Sequence, residues 1–530
     1  MTVAHAGSAV HGFGGVVSAG GPLAASAGLA ALVDGGNAVD AVIAAAFVQC
    51  VVEAPWGGIG GDAFVLVRTP SGEVLALNGS GAAPMKLAAH IGDGELIPRF
   101  GPMSVAVPGF VGAVTALHER GGSRPFGDLA APSIGYATDG FPVTPALRDA
   151  IDRVLPELAA DAPLRRLLES NGTTVGSRFR LPRLADTLRL VVEGGAAAFY
   201  AEAGESISRS LRERGGALTP DDLAAHESRW SSPLSASYGD VEVHTHAPVS
   251  LGCLLLQQLG LYERLDLPYR PPADPARIDA MVRCKHVAFS HTLPHLQYAT
   301  DETAAVAELL AVNRLDALAD RLLDAPVATL SSPVELPDGP DTTCVVAADG
   351  DGWMAAIIHS LFNEFGSREL DAATGVLLND RLANQRHAVN GVGGIAPGGR
   401  PLHTLNAVLV SEPDGSATMW ATPGGRGQVQ TSFQVVVNAF DGKVEPQRAI
   451  GEPRWLSGAP RRPEPDDQLY LEPGIPAEAA AELERRGHRV AITDGASSDL
   501  YGSCALVGRN ADGALLGAAD HRRQACAAAL

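Results

Sequence analysis

The residues of this sequence best suited to chemistry are two adjacent hydroxyl side chains, Thr342 and Thr343, which stand between a Pro-, Gly- and Asp-rich segment and an apolar run. A threonine hydroxyl is a weak nucleophile. Cleavage of the Asp341–Thr342 peptide would leave Thr342 with a free α-amine of pKa roughly 8, which can act as its own general base. By themselves, two threonines at the start of a strand are most often structural, because threonine is a good strand former.

A second candidate is the glycine pair Gly424-Gly425, which comes just before a helix expected to begin near Gln428. Glycines there can present backbone N–H groups without obstruction by side chains, as an oxyanion in acyl transfer requires. The same sequence would also suit an ordinary turn that caps a helix.

The elements that must position these residues follow from hydrophobic periodicity and turn residues. A buried helix is expected over 41–52, where an apolar run too short for a membrane span is bounded by Asp40 and Glu53. Further helices are predicted at 22–33, 428–440 and 476–486, and hairpins at 63–67 with 74–77, 343–348 with 353–360, and 407–410 with 417–422.

The two halves of the chain differ in pattern. A strand at Val105 is predicted to run into a helix, and helical patterns dominate from there to about Leu323. Pro333, Pro337 and Pro340 then form the best linker candidate. A helix-rich part before a strand-rich part fits two sheets with helices outside.

Ordered sequence blocks from about Gly14 to Arg522 resemble the gamma-glutamyltransferase family. They begin with Gly35-Gly36-Asn37-Ala38-Val39-Asp40-Ala41 and Gly58-Ile59-Gly60-Gly61, and include Asp341-Thr342-Thr343 at the family's processing site. The remaining blocks are Val107-Pro108-Gly109, Gly140-Phe141-Pro142-Val143, Leu218-Thr219-Pro220-Asp221-Asp222-Leu223, Ser360, Phe365-Gly366, Gly375-Val376-Leu377-Leu378-Asn379, Arg400-Pro401-Leu402 and Thr422-Pro423-Gly424-Gly425.

The resemblance implies a self-processing N-terminal-nucleophile hydrolase with an α+β fold, a four-layer αββα sandwich. Residues 1–341 would form the large subunit and residues 342–530 the small subunit, and the associated fragments would build both sheets together. Thr342 would be the nucleophile, Ser360 would hold its new amine, and Gly424 and Gly425 would form the oxyanion hole. The resemblance also leaves room for a dimer of such heterodimers.

The substrate contacts depart from those of glutathione-processing members. Those enzymes bind the glutamyl carboxylate with an arginine in a segment that here reads Asn78-Gly79-Ser80-Gly81-Ala82-Ala83-Pro84, without arginine. Those enzymes also bind the glutamyl amino group with an Asn, an acidic or amide residue and an Asp, and the carboxylate with a Ser-Ser pair. At those places this chain has Phe362, Arg381, Asn384 and His403-Thr404. Arg426 is a further unusual residue in the glycine loop. The candidate substrate-binding residues are Phe362, Arg381, Asn384, His403, Thr404 and Arg426.

The lost acidic residue and the gained Arg381 favour an acyl group that carries a carboxylate or oxo group but no free amine, because a buried unpaired ammonium is costly. The segments look like the family branch with oxamate amidohydrolases. The wider group also holds cephalosporin acylases and hydrolases of alkylproline antibiotic pathways. The hypothesis is therefore hydrolysis of an oxalyl-type amide or C–C bond, with a role in specialised metabolism. Alternatively, Arg381 is a surface ion-pair partner and His403 a core histidine.

Composition and sequence pattern argue against several other classes of protein. The net charge of -20 argues against nucleic-acid binding, and the start of the chain lacks a signal-peptide pattern, so a cytoplasmic protein with a small-molecule substrate and no membrane partner is expected. The six cysteines form no C-x-x-C pair, which predicts buried free thiols. No metal or organic cofactor is implied, since nucleophile, base and oxyanion donors all come from the chain.

Two other functions stay open at the level of sequence. The first is ordinary gamma-glutamyl transfer or glutathione hydrolysis, against which the missing arginine at 78–84 argues. The second is an uncleaved, non-enzymatic scaffold.

Overall fold

The computed structural model describes residues 8–298, 302–330, 341–391, 393–458, 468–495 and 500–530, so the linker prolines Pro333, Pro337 and Pro340 lie outside the described residues. The strands are β1 Val10–Gly12, β2 Gly15–Ala19, β3 Asp62–Arg68, β4 Val74–Asn78, β5 Phe141–Pro142, β6 Arg178–Phe179, β7 Arg229–Ser231, β8 Leu234–Tyr238, β9 Val241–Thr245, β10 Asp341–Asp349, β11 Met354–Phe362, β12 Ala407–Ser411, β13 Ala417–Ala421, β14 Trp455–Ser457, β15 Gln468–Leu471, β16 Arg489–Ile492, β17 Ala505–Arg509, β18 Leu515–Ala519 and β19 Cys526–Ala529. The helices are α1 Pro22–Val33, α2 Ala38–Val52, α3 Phe110–Gly121, α4 Phe126–Asp139, α5 Pro145–Val154, α6 Pro163–Ser170, α7 Pro182–Ala198, α8 Gly204–Glu213, α9 Pro220–Ala224, α10 Gly252–Arg264, α11 Pro275–Tyr298, α12 Glu302–Leu309, α13 Val312–Ala319, α14 Gly427–Val436, α15 Pro446–Gly451 and α16 Ala477–Arg485.

Two seven-stranded sheets form the centre of the molecule. One has the strand order β1-β18-β17-β13-β12-β9-β8 and the other the order β19-β2-β10-β11-β3-β4-β7. Both sheets contain strands from before and after residue 342: in the second, β10 pairs with β2 on one side and with β11 on the other, and β11 pairs with β3. The segments on either side of Thr342 therefore share one fold and are not separate domains.

The sheets and helices stack in four layers. Side chains from the facing sides of the two sheets, such as Phe64, Val346 and Met419, form one buried core. The outer face of the second sheet packs against α1 to α8, and the outer face of the first packs against helices that include α10, α11, α14 and α16. The αββα sandwich predicted from the sequence is confirmed. No helix in the described ranges is long and apolar enough to cross a membrane.

Helix α2 shows how local sequence fixes an element that supports the site. Asn37 caps it by accepting a hydrogen bond from the Asp40 N–H, while the Asp40 carboxylate accepts one from the Asn37 N–H, which is a capping box. The same carboxylate accepts from the N–H and hydroxyl of Ser123. Every residue of α2 is buried, as predicted for 41–52.

One predicted element, the strand at Val105, was wrong. Residues 105–107 form no strand, although they are buried: the Val107 N–H donates to the Ala82 carbonyl and the Ala106 N–H to the Asn379 side chain, so loop contacts replace a ladder. Helices predominate from α3 to about Leu323, as predicted, although the short strands β7, β8 and β9 lie among them and complete the edges of both sheets between 229 and 245. All six cysteines are free, and all but Cys526 are buried.

Candidate active site

Three adjacent strands bring Thr342, Ser360 and Asp62 to one face of the second sheet. Alternate residues of β10, such as Cys344 and Val346, belong to the core between the sheets, so Thr342 lies on that face too. Ser360 of β11 pairs in register with Asp62 of β3, and both follow the same alternation. A strand spacing of about 4.8 Å places the nucleophile candidate and Asp62 roughly 10 Å apart.

Thr342 is buried, with 2% of its surface exposed, and its hydroxyl has no hydrogen-bond partner among the described residues. It borders a cavity of about 400 Å³. Glu53, Pro423 and Ser503 border this cavity as well, together with Gly20, Trp56, Pro145, Ala146, Asp149, Arg153, Thr343, Cys344, Arg522, Arg523 and Gln524. The cavity thus leads to Thr342, although the hydroxyl oxygen is itself buried in the uncut chain and Asp62, Arg381 and His403 are not among the lining residues.

Ser360 contacts the peptide that self-cleavage would break. Its hydroxyl donates to the carbonyl oxygen of Asp341 at 2.6 Å and accepts from the Phe362 N–H at 2.7 Å. The register of β10 against β11 shifts at this point, between Asp341 and Thr343, and Phe362 adopts a left-handed φ of 88°. A hydroxyl on the carbonyl oxygen polarises the carbonyl that Thr342 would attack.

Arg381 and His403 contact Asp62 and form a buried cluster of ionisable side chains with it. Arg381 donates through Nε to Asp62 Oδ2 at 3.2 Å, and His403 Nε2 lies 3.4 Å from the same oxygen. Each of the three side chains is fully buried. Burial by itself raises the pKa of Asp62, but the contact with His403 and the charge of Arg381 outweigh it and hold that pKa below its ordinary value. Burial, with Arg381 nearby, lowers the pKa of His403 to about 4.

Arg381 keeps its terminal nitrogens available. Neither Nη1 nor Nη2 has a hydrogen-bond partner among the described residues, although both are buried. The guanidinium carbon lies 4.5 Å from the centre of the Phe362 ring, in a cation–π contact that fixes its plane. Two parallel N–H donors on a buried guanidinium match the two oxygens of a carboxylate. Full burial rules out the alternative of a surface ion pair.

The segment from Asn78 to Pro84, which lacks the arginine of glutathione-processing enzymes, contacts Asp62 through its backbone. The Gly81 N–H donates to Asp62 Oδ1 at 2.9 Å, and the Cβ of any larger residue at Gly81 would overlap the Val107 carbonyl. The segment from Asn78 to Pro84 thus approaches closely enough to hold Asp62 by its backbone.

Gly424 and Gly425 both have positive φ, at 126° and 53°. The Gly427 N–H donates to the Gly424 carbonyl and the Gln428 N–H to the Gly425 carbonyl, which turns the chain into α14. Pro423, which precedes the pair, borders the cavity beside Thr342. This geometry suits both a helix cap and an oxyanion site.

The remaining candidate residues divide into two groups. Thr404 is buried next to His403, and its hydroxyl is without a partner in the described part of the chain. Arg426 is half-buried at the start of α14. Asn384, by contrast, is exposed in a turn with φ of 56°, where its N–H donates to the Ile97 carbonyl. The structure does not bring Asn384 to the buried cluster.

Sequence reasoning assigned no role to Asp62, Glu53 or Gln49. Asp62 follows a glycine cluster at the start of a strand, and Glu53 is the first charged residue after the apolar part of α2. Both positions were visible, but their partners lie about 300 residues away in the chain. Burial raises the pKa of Glu53 to about 7, against hydrogen bonds from Thr343 and Gln49 that lower it.

Comparisons with known proteins place this site in context. The family model described as gamma-glutamyltranspeptidase matches residues 24–530. The chain is 32% identical over 519 residues to an oxamate amidohydrolase proenzyme from Klebsiella pneumoniae, covering 96% of each chain. It is 30% identical over 507 residues to a glutathione hydrolase-like YwrD proenzyme from Bacillus subtilis, covering 94% of this chain and 95% of the relative. The crystal structure of a cephalosporin acylase from Bacillus halodurans superposes with a TM-score of 0.87 at 30% identity, covering 99% of this chain and 97% of the other.

Proposed function

The chain belongs to the gamma-glutamyltranspeptidase family of hydrolases, and we propose that it cleaves itself before Thr342 and then hydrolyses small substrates that carry a carboxylate beside the attacked carbonyl. Fragments 1–341 and 342–530 would stay together, because they share both central sheets. Oxamate is the smallest amide of this kind, and one relative is named for it.

The observation that carries the proposal is that neither Nη atom of buried Arg381 has a hydrogen-bond partner among the described residues. A buried guanidinium whose only hydrogen bond among the described residues runs from Nε to Asp62 leaves both terminal nitrogens unsatisfied, at a cost that a substrate carboxylate would remove. The guanidinium contacts Asp62, whose backbone lies two strand spacings, roughly 10 Å, from that of Thr342. That separation suits an acyl group of a few atoms.

The chemical steps follow from the positions of the side chains. The α-amine of processed Thr342 takes the hydroxyl proton as the oxygen attacks the carbonyl, and the N–H groups of Gly424 and Gly425 receive the negative charge. The leaving nitrogen takes up the proton, and an oxalyl ester forms on Thr342. Water then attacks the ester, returns the hydroxyl and releases oxalate. The overall reaction is oxamate plus water giving oxalate plus ammonia.

Cleavage of a C–C bond beside a carboxylate-bearing carbonyl would use the same binding site, and a role of this variant in specialised metabolism is part of the proposal. The cephalosporin acylase superposition is compatible with a side-chain acyl substrate. In ordinary glutathione hydrolysis the site would have to bind a free amine, but the cluster presents a cation, Arg381, at that place.

Two measurements test the proposal. On a denaturing gel the protein should resolve into fragments 1–341 and 342–530, and mass spectrometry should find Thr342 at the new N-terminus. The processed protein should release ammonia from oxamate and turn over gamma-glutamyl-p-nitroanilide only slowly. Turnover of gamma-glutamyl-p-nitroanilide at ordinary transpeptidase rates, with no reaction of oxamate, would refute it.

A further inference from the structure

Behind Thr342, on the opposite face of the sheet, a chain of polar side chains ties β10 to α2. Gln49 Nε2 donates to Thr343 Oγ1 at 2.7 Å and to the Cys344 carbonyl at 2.9 Å. The Thr343 hydroxyl also contacts Glu53 Oε2, in a very short hydrogen bond. His359 Nε2 lies 3.1 Å from Gln49 Oε1.

The donor and the acceptor of each hydrogen bond in this network can be assigned. The Cys344 carbonyl can only accept, so the amide nitrogen of Gln49 faces β10 and its oxygen faces His359. Burial lowers the pKa of His359 to about 3, so the neutral ring donates through Nε2. Thr343 Oγ1 already accepts from Gln49, and its own hydrogen must therefore go to Glu53.

Close backbone contacts restrict the side chain of Thr343. A Cβ on Gly20 would lie 2.6 Å from Thr343 Oγ1 and 3.0 Å from Glu53 Oε2, and one on Gly57 would lie 2.9 Å from Thr343 Cγ2. Glycine at both positions lets backbone close around the Thr343 side chain. The rotamer of Thr343 is fixed from several sides.

One carboxylate oxygen of this hydrogen-bond network remains available to accept a further hydrogen bond. Glu53 Oε1 is buried and has no hydrogen-bond partner among the described residues, and Glu53 borders the same cavity as Thr342. Self-cleavage, on which this inference rests, would turn Thr342 into a chain end. The first residue of a strand frays unless something holds it, and a free amine would then appear beside the cavity.

We propose that Glu53 is a positioning residue for the nucleophile: it fixes Thr343 through Oε2 and offers Oε1 to the α-amino group that cleavage leaves on Thr342. Gln49 further restrains the start of β10, because it donates hydrogen bonds to both the Thr343 hydroxyl and the Cys344 carbonyl. Thr342 thereby keeps its orientation after its covalent link to Asp341 is gone.

The test compares Thr343→Val, Thr343→Ser and Glu53→Gln with the wild type. Thr343→Val keeps the shape but removes the hydroxyl, so kcat for oxamate should fall at least about 10-fold while KM changes less than about 3-fold, because orientation and not binding is lost. Thr343→Ser should restore at least about half of kcat. Glu53→Gln can still accept from Thr343 through its amide oxygen, but its NH2 group would then face the amine and cannot accept from it, so an intermediate kcat is expected.

Thr187→Val is the matched control, because Thr187 is another buried threonine whose hydroxyl donates to a backbone carbonyl, that of Thr374 at 2.7 Å. It should leave kcat unchanged. Should Thr343→Val stop at the precursor, the rate of self-cleavage becomes the readout, and slowing that Thr343→Ser reverses, in a variant with cooperative thermal unfolding, supports the inference. Normal cleavage and normal kcat in Thr343→Val and Glu53→Gln would overturn it. A wild type that neither cleaves nor hydrolyses oxamate would instead refute the proposed function.

Discussion

Asp62 accepts a hydrogen bond from Arg381 at 3.2 Å, between two side chains that are both completely buried and are 319 residues apart in the sequence. The carboxylate neutralises the guanidinium through its Nε side only. The pair therefore keeps a cation inside the protein, and neither terminal nitrogen of Arg381 has a hydrogen-bond partner among the described residues.

Asp62→Asn should destabilise the protein by about 3–5 kcal/mol, because it leaves the charge of Arg381 buried and unpaired. Thermal or urea unfolding measures the effect. The double variant Asp62→Asn/Arg381→Met removes both charges and should recover much of the lost stability. If the double variant is less stable than the single one, the two side chains do not act as a pair.

Arg381→Met should lower kcat/KM for oxamate by about 100-fold or more, because each charge-assisted hydrogen bond to the carboxylate contributes about 1.5–3 kcal/mol. Arg381→Lys keeps the charge but loses the planar pair of donors, and its kcat/KM should lie between those of Arg381→Met and the wild type. Steady-state ammonia release gives these values.

Oxamide, the uncharged analogue of oxamate, supplies the control for Arg381. Its kcat/KM should change much less in Arg381→Met, so the preference for oxamate should collapse. An unchanged preference would mean that Arg381 does not bind the carboxylate.

Local pattern predicted the elements around the site well. Helix α1 begins and ends at the predicted residues, and the hairpin of β10 and β11 lies where strand periodicity and a glycine-rich turn placed it. Asn37 could be recognised as a helix cap because its partner Asp40 is only three residues away. These features depend on contacts within a short stretch of sequence.

The buried cluster could be predicted only in part. The resemblance indicated Arg381 and His403 as pocket residues, but nothing local connects either to Asp62, which meets them through sheet pairing and the loop after β11. The same holds for Glu53, whose role depends on the packing of α2 against the start of β10. The opposite holds for Asn384. Alignment with the family predicted that it binds substrate, but it lies in an exposed turn away from the buried cluster.

Acid should destabilise the protein through its buried histidines, and His246 gives the cleanest test. Burial lowers the pKa of His246 to about 4, while its ring nitrogens bond the Val65 carbonyl and the Ala407 N–H. Between about pH 6.5 and 4 the unfolded chain therefore binds a proton that the folded chain does not, and stability falls as the pH falls.

Comparison of His246→Gln with the wild type isolates this contribution. The variant should be less stable at pH 7, because it loses hydrogen bonds, but between pH 7 and pH 5 it should lose about 2 kcal/mol less than the wild type. Urea unfolding at the two pH values measures this. Equal losses would show that His246 does not bear the proton that destabilises the fold.

Thr342→Ala should yield a single uncut chain, because the hydroxyl that attacks the Asp341 carbonyl is gone. Thr342→Ser should still cleave, since it keeps the oxygen, although the loss of the methyl group leaves the side chain free to rotate and should slow the step. Denaturing gels over time give both rates. Cleavage of Thr342→Ala at the wild-type rate would assign the reaction to a contaminating protease.

Ser360→Ala should slow self-cleavage by about 10- to 1,000-fold, because it removes the hydroxyl that donates to the Asp341 carbonyl at 2.6 Å, and the loss of one such donor has effects of this order. Ser360→Thr keeps the hydroxyl and should cleave at a rate much closer to the wild type. Thermal unfolding checks that both variants fold, and Ser18→Ala, which removes another buried hydroxyl that donates to a backbone carbonyl, that of Ala518 at 2.7 Å, is the control for packing. If Ser360→Ala cleaves as fast as Ser18→Ala, the hydroxyl serves only to accept from the Phe362 N–H and shape the bend of β11, and carbonyl polarisation must come from elsewhere.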